Sequence, residues 1–73
     1  MFKNETKRAA FVRLANQRTN SVLDRLRVLG HCADQQRYEF SDEDVKRIFK
    51  AIDAELRAVK AKFQNSSRQQ FQL

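Results

Sequence analysis

The sequence predicts an all-α fold: two long antiparallel helices, a helical hairpin, at about residues 6–29 and 42–63. Two apolar stripes at helical spacing lead to that reading, together with a chain that contains no Pro and one Gly. The clearer stripe is Val45, Phe49, Ile52, Leu56, Val59 and Phe63, in alternating steps of four and three, with Ile48 beside it. Such steps return side chains to one face of an α-helix.

The first helix is expected to begin at Thr6, a residue whose hydroxyl suits an N-cap. Gly30 stands where a left-handed residue would end it. Residues 31–40 then form a connection in which Tyr38 and Phe40 alternate with Arg37 and Glu39. The two rings are expected to close the end of the core, although a short extended piece would have the same pattern. The second helix has the firmest start. Ser41 and Asp44 match a capping box, Phe40 and Val45 a hydrophobic staple, and Asp42, Glu43 and Asp44 lie where the helix dipole favours anions. Residues 1–63 are read as one hairpin domain, and residues 64–73, rich in Gln, Asn and Ser, as a flexible tail.

The first helix has the broader apolar arc. Phe11, Ala15, Val22, Leu26 and Leu29 form a stripe, widened by Val12, Thr19 and Leu23 on one side and Leu14 on the other. An arc of roughly half the circumference exceeds what one partner helix covers. Self-association into a four-helix bundle, or docking on a larger protein, would cover the rest. Val12, Leu14 and Leu23 are the candidate partner-binding residues.

Arg18 lies within this arc and needs a partner, because a lone buried charge costs several kcal/mol. Matching Leu29 to Val45 pairs Val22 with Ile52, Ala15 with Val59 and Phe11 with Phe63. That register sets Arg18 beside Glu55, the expected structural ion pair.

The 73 residues carry a net charge of +6, unevenly spread. Residues 1–30 hold seven bases and two acids, whereas residues 31–73 hold eight and seven. A basic half of this kind attracts polyanions. Lys7, Arg8, Arg13, Arg25 and Arg27 are the candidate phosphate contacts, and Asn16 and Asn20 the candidate hydrogen-bonding residues.

Chemistry of other kinds has little to stand on. His31 and Cys32 are the only imidazole and thiol, too few for a metal site, and as loop neighbours they are poorly placed as a catalytic pair. One glycine cannot build a glycine-rich phosphate loop. The expectation is a non-enzyme without metal or cofactor. A DNA-binding helix-turn-helix would need shorter helices and a tighter turn. No apolar run suits a membrane span or a signal peptide, and a single cysteine fits a reducing cytoplasm. The leading functional expectation is a small accessory protein that binds nucleic acid through the basic face of the first helix. The alternative is an adaptor or inhibitor docking a protein partner through that helix's surplus apolar surface, and a plain homo-oligomer, such as a dimer, comes third.

Overall fold

The structure, a computed structural model, describes residues 5–67 and contains two helices and, among those residues, no strand. Helix α1 spans Lys7–Gly30 and α2 spans Asp42–Ser67. This is the all-α class and the element order of the helical hairpin that the periodicity predicts. The chain divides between Tyr38 and Glu39 into two units, with α1 and the turn after it in one and α2 in the other.

Thr6 caps α1 as expected. Its backbone is extended (φ −73°, ψ 164°), and its hydroxyl oxygen accepts from the Ala9 N–H at 3.0 Å. The far end differs from expectation. No described residue has positive φ, and Gly30 is the last helical residue rather than a left-handed terminator. The N–H groups of His31, Cys32 and Ala33 donate to the carbonyls of Val28, Leu29 and Gly30 at 3.0, 3.0 and 3.1 Å. These tight bonds satisfy the last carbonyls of the helix, so no left-handed residue is needed.

Asp34 organises the connection. Its carboxylate accepts from the Gln36 N–H at 3.0 Å, and its carbonyl accepts from Arg37 and Tyr38 at 3.0 and 2.9 Å. An Asx-type turn of this sort gives the backbone local partners, so residues 31–40 contain turns and no extended strand. Tyr38 is 49% exposed, and Cys32 is exposed as well.

The start of α2 agrees with the sequence reading bond for bond. The Ser41 N–H donates to the Asp44 carboxylate at 2.9 Å, and the Asp44 N–H donates to the Ser41 hydroxyl at 3.1 Å. Phe40 and Val45 are both half-buried, as a hydrophobic staple requires. The helix then runs past Phe63 to Ser67, so Gln64–Ser67 are helical rather than tail. No Gly or Pro stands there to stop it. The rest of the expected tail, 68–73, lies outside the described residues.

Among the described residues none is buried. Ala10, Leu14, Ala15, Leu29, Phe40, Val45 and Ile52 are half-buried, and the other stripe residues are exposed, Val22 at 58% and Leu56 at 51%.

Two stability predictions follow from the helix ends. A Cβ added at Gly30 meets nothing within 4 Å and the backbone there is right-handed, so Gly30→Ala is expected to raise stability by about 0.4–1 kcal/mol in thermal melts. A lowered melting temperature would indicate a left-handed Gly30 after all. Ser41→Ala removes the hydroxyl cap of α2 and is expected to cost about 1 kcal/mol, read as lost helicity and a lower melting temperature.

Candidate functional site

The helical repeat of α1 sorts the candidate basic residues onto three sides rather than one. Arg13, Asn20 and Arg27 follow one another at seven-residue steps, with Asn16 beside them, on the side away from the apolar stripe. Arg8 sits at the same steps as Ala15, Val22 and Leu29 and so belongs to the stripe itself. Its guanidinium lies 5.9 Å from the centroid of the Phe11 ring, one turn ahead. Lys7, Arg18 and Arg25 share a third side, along the edge of the stripe next to Leu14.

Electrostatics separate these sides further. Glu5, just ahead of the Thr6 cap, folds back along α1 and grips Arg13 through both carboxylate oxygens, at 2.9 Å to Nε and 2.8 Å to Nη2. Paired donors in one plane match a carboxylate well. The hydrogen bonds to Arg13 hold the Glu5 carboxyl below its ordinary range; desolvation opposes this and the charge of Arg13 assists. The same hydrogen bonds push the Arg13 guanidinium up, with the Glu5 charge adding to them. Arg27 pairs with Asp24 at 3.1 Å, one turn back. Both arginines on the far side therefore have a carboxylate partner.

Lys7, Arg18 and Arg25 have none within α1. No acidic residue stands three or four positions from Arg18 or Arg25. All three cations are exposed. Glu5 and Asp24, the partners of Arg13 and Arg27, are not among the residues singled out by sequence. The Asp24–Arg27 spacing was readable as a helical pair, but a contact between residues eight apart across a helix start carries no periodic signal.

The candidate partner-binding residues also divide. Val12 and Leu23 are exposed, at 39% and 43%, on one flank of the stripe. Leu14 is half-buried on the opposite flank, so the three do not form one patch. Arg18 occupies mid-α1 and Glu55 mid-α2. Among the described residues no group of three His, Cys, Asp or Glu side chains comes together, and no helix is long and apolar enough to cross a membrane. No protein-family model, curated protein or solved structure matches this chain.

The Glu5–Arg13 pair has a pH signature. A carboxyl held below its ordinary value adds stability that is present above that value and fades as pH falls through the lowered one. In an NMR titration the Glu5 carboxyl is expected to titrate below a free glutamate, and to return to the ordinary range in Arg13→Gln. An identical Glu5 midpoint in both chains would remove the pair from the account.

Proposed function

We propose that this chain is a non-catalytic accessory protein that binds the backbone of RNA or DNA through α1. The observation behind this reading is the side bearing Lys7, Arg18 and Arg25, exposed cations that no carboxylate of α1 offsets. We assign Arg18 to that side rather than to Glu55. Arg13 and Arg27 contribute less, because a phosphate must displace Glu5 or Asp24 to reach them. Contacts of this class are to phosphate, so they set position on the strand without reading sequence. The proposed setting is the cytoplasm, where the exposed thiol of Cys32 stays reduced, and no cofactor is required.

A second reading, a protein-binding adaptor, is favoured by the exposure of Val12 and Leu23. It predicts that Leu23→Asp abolishes partner capture and leaves nucleic-acid affinity unchanged.

Fluorescence anisotropy with labelled single- and double-stranded oligonucleotides tests the first reading. Three phosphate contacts give a log–log salt slope of about −2 to −3. Arg25→Gln is expected to reduce the slope by about one, and Arg27→Gln by less. No affinity at about 50 mM salt, or affinity indifferent to salt, would contradict it.

A further inference from the structure

The stripe of α2 is a heptad seam in its strict form. Phe49, Leu56 and Phe63 recur at seven-residue steps, and Val45, Ile52 and Val59 recur in the same way between them. In heptad notation the first set occupies a and the second d, the two positions that meet a partner helix in a coiled coil. Both sets lie within α2, and Phe49 and Leu56 are 49% and 51% exposed. The positions beside the seam are charged: Lys46, Asp53 and Lys60 at e, and Glu55 and Lys62 at g, with Ile48 completing the g row.

Those flanking charges decide between orientations for a second copy of the same helix. In a parallel, in-register pair each g residue faces the following e residue of the partner. Glu55 then meets Lys60 of the second copy, twice over by symmetry, and Ile48 meets Asp53. No like charges oppose one another at these positions. In the antiparallel pair that aligns the whole seam, Phe49 faces Val59, Leu56 faces Ile52 and Phe63 faces Val45. The flanks of that arrangement bring Lys46 to Lys60, Asp53 to Asp53 and Glu55 to Glu55. Each of these contacts repels.

Neither Glu55 nor Lys60 has other work within α2. No oppositely charged residue stands three or four positions from either one, and none of the ion pairs among the described residues lies within this helix. Alanines occupy the outward positions Ala51, Ala54, Ala58 and Ala61, where only solvent has to be met.

We infer that α2 is a self-association helix, pairing in parallel and in register with α2 of a second copy through Val45, Phe49, Ile52, Leu56 and Val59. Direction is set by Glu55 against the other copy's Lys60. Bulky unbranched-at-β residues at a with Val and Ile at d favour three or four strands over two. Assemblies of three or four parallel copies, with the Glu55–Lys60 contact repeated between neighbours, are therefore expected. This use of Glu55 is independent of nucleic-acid binding by α1 and stands whether or not α1 binds a polyanion.

Charge reversal on the full chain tests the inference, read by sedimentation equilibrium against the monomer mass of 8.6 kDa. Glu55→Lys and Lys60→Glu are each expected to weaken association by about tenfold or more. The double variant, which exchanges the two charges, is expected to restore it. Lys60→Glu is the decisive arm, because the antiparallel arrangement would place the new glutamate against Lys46 and tighten association. Circular dichroism at high concentration confirms that each variant still folds. A wild-type chain that is monomeric at about 100 µM, a Lys60→Glu chain that associates more tightly, or a double variant no better than the singles would each overturn the proposal.

Discussion

The apolar seam of α2 needs cover, and the rest of the molecule depends on how that need is met. Isolated helices are marginal in water, because nucleation fixes several dihedral angles for one hydrogen bond and the helix must draw its stability from burying a face. A chain of 73 residues is already near the size at which one core suffices. Here no described residue is buried, and Val22, Phe49 and Leu56 keep about half of their surface or more in water. Capping by Thr6 and by the Ser41–Asp44 box supports the helix starts by about 1 kcal/mol each, which defines where the helices begin without supplying a core. Association between copies, inferred above, would supply that burial through a seam whose flanking charges favour one direction.

Charge is distributed with the same division of labour. The acids of α2 that open the helix, Asp42, Glu43 and Asp44, sit against its positive dipole end, while Glu55 and Lys60 flank the seam. On α1 the acids are few and local: Glu5 holds Arg13 and Asp24 holds Arg27. What remains, besides Arg8 over the Phe11 ring, is the side of Lys7, Arg18 and Arg25, whose positive field is uncompensated by carboxylates of α1. An assembly through α2 would present several copies of that side together, raising effective concentration along a polyanion without any new contact.

The local signals in the sequence were strong wherever one residue type satisfies one backbone need. Thr6 and the Ser41–Asp44 pair announce helix starts because orphan N–H groups require acceptors, and the structure forms those bonds. Gly30 misled because a glycine at a helix end has two solutions. Its position suits a left-handed cap, but the amides of His31, Cys32 and Ala33 close the helix with shorter-range bonds instead. The end of α2 lies beyond the apolar stripe, at Ser67 rather than Phe63, since Gln and Ser lower helix propensity without ending a helix that nothing interrupts. Periodicity found the stripes. It also turns the polar candidates to different sides, Arg13, Asn16, Asn20 and Arg27 away from the stripe and Lys7 and Arg25 along its edge. They therefore do not form the single basic face that the charge count suggests. Glu5 against Arg13 depends on a fold-back ahead of the first turn, and no spacing rule reports it.

The most direct measurement is the thermal unfolding midpoint as a function of protein concentration, followed by the helical signal in circular dichroism. If burial comes from other copies of the chain, mass action stabilises the folded state and the midpoint climbs steadily with concentration. A strongly helical chain whose midpoint stays the same across a hundredfold dilution would contradict it, since the apolar faces would then be covered within a single copy.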